Sequence, residues 1–158
     1  MSGLIASHRS KAYPTGAGGE LRILEDVSLS LDLGQNAAVI GPSGSGKSTL
    51  LALLGALDHP TDGSLSLHGV DPFALDERAL AEFRNRQIGF VFQDHLLLPQ
   101  CTVLENVLTP LLADGSASAA DVRRGEELLD RIGLADRRAH RPAQLSGGER
   151  QRAAFARA

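Results

Sequence analysis

From Val27 the chain alternates: Val27, Leu29, Leu31 and Leu33 are apolar, and Ser28, Ser30 and Asp32 between them are polar. A period of two predicts a half-buried strand, which Gly34 ends. Ala37 to Ile40 is a short, fully apolar run and predicts a buried strand. It leads straight into Gly41–Thr49, GPSGSGKST, after which Leu50, Leu53, Leu54 and Leu57 fall at i, i+3, i+4 and i+7. That spacing places the leucines on one helix face and predicts that all of them are largely buried. Asp58–Gly63, DHPTDG, reads as a turn, and Ser64–His68 alternates again as a strand. Asp76 is placed to cap a helix from Glu77 to about Asn85. Gln87–Gln93, with IGFVF at its centre, predicts a second apolar strand. Beyond it Val103–Ala113, Ala119–Ile132 and Gly147–Ala158 read as helices, with ADGSASAA at 113–120 as a flexible connector. The expected fold is α/β: a sheet-rich core over about 1–93 carrying the Gly-rich loop and its helix. A helical part follows over about 94–158, with a subdomain from about Val103 to Gln144.

Composition narrows the function classes. The formal charge of −3 gives no basic footprint for nucleic acid. The longest apolar stretch, Leu50–Leu57, is far short of the roughly 20 residues that span a bilayer. The opening MSGLIASHRSKAY lacks the apolar centre of a signal peptide, so a cytosolic chain is expected. Cys101 is the sole cysteine and has no partner for an internal disulfide or a metal site. The basic residues are 14 arginines and only two lysines, Lys11 and Lys47.

Lys47 sits where chemistry asks for lysine. Gly41, Gly46, Lys47 and Ser48 fit G-x-x-x-x-G-K-[ST], between a predicted strand and a predicted helix. Gly41, Gly44 and Gly46, with Ser43 and Ser45 between them, let backbone N–H groups face phosphate oxygens, and the helix start favours the anion. Lys47 offers a flexible point charge to the β and γ phosphates, and the Ser48 hydroxyl is placed to ligate Mg²⁺. The guanine-selecting N-K-x-D motif is absent, which counts against a GTPase.

Leu145–Arg152 reads LSGGERQR. Ser146 as N-cap and Glu149 three residues on make a capping box. That explains the serine and the glutamate, but not two glycines in a first helical turn, each costing up to about 1 kcal/mol against alanine. Bare glycine N–H groups at Gly147 and Gly148 would make a second anion site, so a nucleotide gripped from two sides is expected.

GPSGSGKST, Gln93 and LSGGERQR together resemble the ATP-binding subunit of ABC transporters. The resemblance implies that ATP with Mg²⁺ binds at Gly41–Thr49, with Thr49 adding a contact. It implies that Gln93 approaches Mg²⁺ and the attacking water, and that Tyr13, in KAYPTG, stacks on adenine. Ser146, Gly147, Gly148 and Glu149 would reach the ATP held by a second copy, in a homodimeric sandwich of two nucleotides. QDHLLLPQCTVLENVLTPLL, 93–112, and HRPAQLSGGERQR, 140–152, are similar to the lipoprotein-releasing and macrolide-export subgroup, with HLLLP leaning to the former. There Asp94–Pro110 would touch a membrane permease, placing the protein on the inner face of the cell membrane.

The family's pattern continues past the signature helix into a strand ending Asp-Glu and then a histidine, whereas this sequence stops at Ala158. PFALDE, 72–77, is no substitute, since Pro72 blocks a central strand and the segment precedes the signature. The expectation is an N-terminal portion of such an ATPase, with no turnover of its own. A DNA-repair or chromosome ATPase would need a long coiled-coil or zinc insertion between Gln93 and Ser146, and none is there. An amino-acid importer or cell-division ATPase, or a nucleotide-binding protein without turnover, stays as the alternative.

Overall fold

The computed structural model describes residues 2–16 and 18–158 and falls into two compact units, Met1–Arg86 and Gln87–Ala158. The division lies ahead of the expected one at Gln93.

The first unit is built on a three-stranded antiparallel sheet in the order β2-β1-β3, with β1 at Ser2–Pro14, β2 at Glu20–Asp32 and β3 at Asp62–Leu67. β2 contains the alternation seen in the sequence: Val27, Leu29 and Leu31 are half-buried and the residues between them exposed. β3 begins inside the expected turn, because Asp62 already pairs with Ser10. β1, the central strand, has no period-two signature. Its register against β2 shifts between Ala6 and Arg9 and again between Arg9 and Lys11, and after Gly3 the buried positions are Ala6, Arg9 and Lys11. Each extra residue of a bulge moves the following side chains to the other face. The buried Arg9 lies 4.8 Å from the Phe73 ring centroid and its Nη1 donates to the Gly63 carbonyl at 3.2 Å. Burial pulls its pKa down, with Asp71 opposing.

Helix α1, Lys47–Leu54, packs on β2 through Leu50 and Leu53 against Leu24, with Ile23, Val27 and Leu54 at the margin. The expected burial of Leu57 is corrected: it is 45% exposed. Gly55 ends the helix and Ala56 takes a positive φ of 53°, which turns Leu57 off the leucine face. Helix α2, Glu77–Gln87, starts where Asp76 predicts, with the Asp76 carboxylate accepting from the Ala79 amide at 2.8 Å.

Both short apolar runs are corrected as well. Ala37–Ile40 belongs to no strand, and Ile40 is 89% exposed. Gln87 closes α2, and 88–93 forms no strand, with Val91 and Phe92 exposed. A buried strand needs ladder partners on its edges, and no described residue supplies them here. The sheet that does form stays with α1 as an α/β arrangement.

The second unit is helical. Helices α3, Val103–Leu108, α4, Ala119–Arg131, and α5, Gly147–Arg157, enclose Val103, Val107, Leu129, Leu134, Leu145 and Ala153. The helix expected to run to Ala113 ends its α-helical part at Leu108. Pro110 has no N–H for the α ladder, and Thr109–Asp114 tightens into a 3₁₀ segment. Each helix of this unit begins with a reciprocal capping box: Thr102 with Glu105, Ser118 with Asp121, and Ser146 with Glu149.

Candidate phosphate-binding site

Gly41–Lys47 forms a tight loop whose last residue opens α1. Gly46 is the N-cap residue at φ 83°, and a Cβ there would lie 2.9 Å from Leu24 Cδ2 and 3.0 Å from the Ile23 carbonyl oxygen. Only glycine fits both the left-handed backbone and the close approach to β2. Having no side chain, it leaves the first-turn amides of α1 without a side-chain cap. Those orphan donors, at the positive end of the helix dipole, suit an anion. Helix α1 is only two turns long, so the glycine loop ahead of it supplies much of the site. Lys47 folds back over the loop, its Nζ donating to the Pro42 carbonyl at 2.6 Å and the Gly41 carbonyl at 3.0 Å. Ser43, Gly44, Ser45 and Ser48 are exposed and Thr49 is half-buried.

Among the described residues no group of three or more His, Cys, Asp or Glu could hold a metal ion. The exposed Ser48 hydroxyl has no hydrogen-bond partner among them. This donor set fits a Mg²⁺ that arrives with phosphates and keeps most of its waters, not one caged by protein alone.

Tyr13 lies near the end of β1. It is 38% exposed, with its hydroxyl donating to Asp58 Oδ2 at 2.7 Å. Neither that bond nor the partner was legible in the sequence, because Asp58 reads only as a turn residue.

In the second unit Gln93 is exposed in a turn closed by the His95 amide donating to the Phe92 carbonyl at 3.0 Å. The next residues, His95 and Leu96, have φ of 62° and 47°. Arg157, in the last turn of α5, donates to both of their carbonyls, at 2.8 and 2.5 Å. Asn106, fully buried in α3, grips the segment that follows, and sequence reading missed it. Its Oδ1 accepts from the Leu98 amide at 2.7 Å, and its Nδ2 donates to the carbonyls of Leu98, Cys101 and Thr102 at 2.9–3.3 Å. A polar residue inside an apolar helical repeat was its only signal.

At the start of α5 Ser146 Oγ accepts from the Glu149 amide at 3.3 Å and the Ser146 amide donates to Glu149 Oε2 at 2.7 Å. Arg137 Nε adds a bond to Glu149 Oε1 at 3.0 Å. A Cβ on Gly147 would meet nothing within 4 Å, and one on Gly148 only the mobile end of Arg152 at 3.7 Å. The helix start is therefore open to close approach, while the Glu149 carboxylate is occupied by its own helix.

Hydrogen bonds from the Ser146 amide and hydroxyl, then from Arg137, pull the Glu149 carboxyl from its ordinary 4.5 down to about 2. A carboxyl lowered on folding stabilises the fold above its unfolded pKa and loses that contribution as pH falls through the folded one. Glu149→Gln keeps an acceptor for Ser146 but loses the charge. It is expected to melt below the unaltered chain at neutral pH, with the gap closing between pH 4.5 and about 2. Thermal melts across that range check this, and a gap independent of pH would refute it.

A family model described as ABC transporter matches residues 24–158. The chain is 57% identical over 155 residues to the lipoprotein-releasing system ATP-binding protein LolD 1 of Rhodopirellula baltica, covering 98% of this chain and 67% of that protein. It is 50% identical over 148 residues to LolD of Legionella pneumophila, covering 94% of this chain and 65% of that one. Among solved structures it resembles the ATP-binding cassette MJ0796, captured as a dimer in a post-hydrolysis state bound to ADP and Pi. That match has a TM-score of 0.87 and 38% identity, over 98% of this chain and 68% of that one. The chain thus spans about two thirds of the length of these relatives. No helix among the described residues is long and apolar enough to cross a membrane. The chain belongs to the ABC transporter family, in its ATP-binding branch.

Proposed function

We propose that this chain binds ATP with Mg²⁺ at Gly41–Thr49 and is the energy-coupling part of an ABC transporter of the lipoprotein-releasing type. The observation that carries the reading is the uncapped start of α1 behind a glycine loop, with Lys47 folded onto it. The loop amides and Lys47 would take the phosphate oxygens. Ser48 would give Mg²⁺ one hydroxyl oxygen, and the ion would neutralise phosphate charge. Tyr13 would stack on adenine.

The open helix start at Gly147 and Gly148 fits the phosphates of a nucleotide held by a second copy of the chain, and the dimeric cassette among the similar structures supports that partner. Asp94–Pro110 would meet a membrane permease. Leu96 and Leu98 are exposed there, on a backbone fixed by Asn106 and Arg157, as a docking segment requires. The protein would then work at the cytoplasmic face of the membrane, and no nucleic acid is among its partners.

Residues 1–158 are expected to bind ATP through this loop and Lys47. The test pairs an ATP titration with a phosphate-release assay, using Lys47→Ala to expose contaminating ATPases. Failure to bind ATP at millimolar concentration would overturn the proposal. Phosphate release that Lys47→Ala abolishes would show that the same loop also supports turnover.

A further inference from the structure

Tyr13 belongs to a small, partly buried network in the first unit. The Lys11 side chain, almost wholly buried, donates from Nζ to Asp58 Oδ1 at 2.8 Å and to the His59 carbonyl at 2.6 Å. The same ammonium sits 4.6 Å from the centroid of the Tyr13 ring. Asp58 closes the loop: Oδ1 also accepts from the His59 amide at 2.7 Å, and Oδ2 accepts from the Tyr13 hydroxyl at 2.7 Å. Two elements thus meet. β1 supplies Lys11 and Tyr13, and the turn that follows α1 supplies Asp58.

The consequences for the ring are geometric. A cation against one face leaves only the other for a planar ligand. A hydroxyl bonded to a carboxylate that is itself held by an ammonium and an amide stops the ring from swinging about its Cα–Cβ bond. An exposed tyrosine without such a bond would lose rotamer freedom on stacking, and that cost would subtract from affinity. Asp58 also hangs from the far end of α1, the helix that opens with the phosphate loop, so base and phosphate platforms share one frame.

We propose that Asp58 and Lys11 are positioning residues for the adenine base, locking Tyr13 as a stacking platform with a single open face. This deepens the proposed function and rests on ATP binding at this loop. Asp58 is shaped for the task. Burial pushes its pKa up, but the bonds from Lys11, Tyr13 and the His59 amide outweigh burial and leave it below the ordinary value. The carboxylate also raises the Tyr13 phenol pKa, aided by burial and with Thr49 opposing, so the phenol stays a donor at neutral pH.

The chain carries its own probe, because Tyr13 is its one tyrosine and it has no tryptophan. Tyrosine emission and tyrosinate absorbance therefore report on this ring alone. ATP is expected to change the emission on titration, and inorganic tripolyphosphate is not. Tyr13→Phe, which keeps the ring and deletes only its anchor, is expected to bind ATP about three- to tenfold more weakly. Asp58→Ala should do the same and move the phenol titration down toward the ordinary tyrosine value. The double variant should bind no more weakly than Asp58→Ala alone, since both remove one interaction. Lys11→Met should weaken ATP binding likewise but leave the phenol titration raised, because Asp58 stays. Tripolyphosphate affinity should stay within about twofold in every variant; equal losses for both ligands would mean that the network merely supports the fold, and would overturn the inference. Unchanged ATP affinity in Tyr13→Phe and Asp58→Ala would also overturn it, leaving the proposed function intact. An unaltered chain that binds neither ligand would overturn both.

Discussion

Lys47→Ala is expected to weaken ATP binding by about ten- to a hundredfold in the folded protein, the range of one lost charge-assisted interaction. Lys47 Nζ already lies over the loop, held by the carbonyls of Gly41 and Pro42. Phosphate oxygens carry more negative charge than carbonyls, so a bound nucleotide gains from drawing the ammonium onto itself. Fold stability should change little, because the bonds given up are to exposed carbonyls that water can satisfy. Lys47→Arg should recover only part of the affinity: the planar fork is wider than an ammonium and the glycine loop is built around the smaller group. Titration calorimetry on the three proteins measures this. Equal affinity in the alanine variant would remove Lys47 from the site.

The largest loss of stability is expected at Asn106. Asn106→Ala strips one backbone amide and several carbonyls of their partner at once, in part-buried bonds around the segment from Leu98 to Thr102. Each buried group left unpaired costs about 1–3 kcal/mol, and water entering the vacated space recovers part of it. A net destabilisation of about 2–4 kcal/mol is expected, read as a lower midpoint in denaturant unfolding. Asn106→Asp is the sharper variant. It keeps the oxygen that accepts from Leu98 but turns a donor toward the carbonyls of Leu98, Cys101 and Thr102 into a second acceptor. It should be at least as damaging as alanine at neutral pH and recover as the carboxyl protonates. A surface-like cost of a few tenths of a kcal/mol would show that the segment does not depend on this side chain.

What the sequence disclosed, and what it hid, follows from the range of the interactions involved. The glycine loop ahead of α1 and the start of α5 were legible because their geometry is set within a few residues: a glycine that must be left-handed at 46, a capping serine at 146 answered by a glutamate at 149. The second half of β2 was legible from period two, and the segment of α4 was read as a helix. β1 was not, because its bulges shift the buried face from Ala6 to Arg9 to Lys11 and two of those residues are cations. Ala37–Ile40 and Gln87–Gln93 have the composition of strands, but a strand is a property of a pair, and the described residues offer them none. The Asp58 and Asn106 contacts depend on which loop returns to which element, which no local pattern encodes.

Arg157 bears on the order of folding. Its bonds to His95 and Leu96 close loops of 62 and 61 residues. Both receiving residues hold a left-handed backbone, which costs a non-glycine residue roughly 1–2 kcal/mol. Contacts so far apart in sequence are reached only after much of the intervening chain has been ordered. The turn beyond Gln93 is therefore expected to take its shape late, after α3, α4 and α5 have assembled, and to be among the first parts of the unit to relax when the end of α5 frays. Its amides should exchange with solvent earlier than those of α3, on a timescale set by α5.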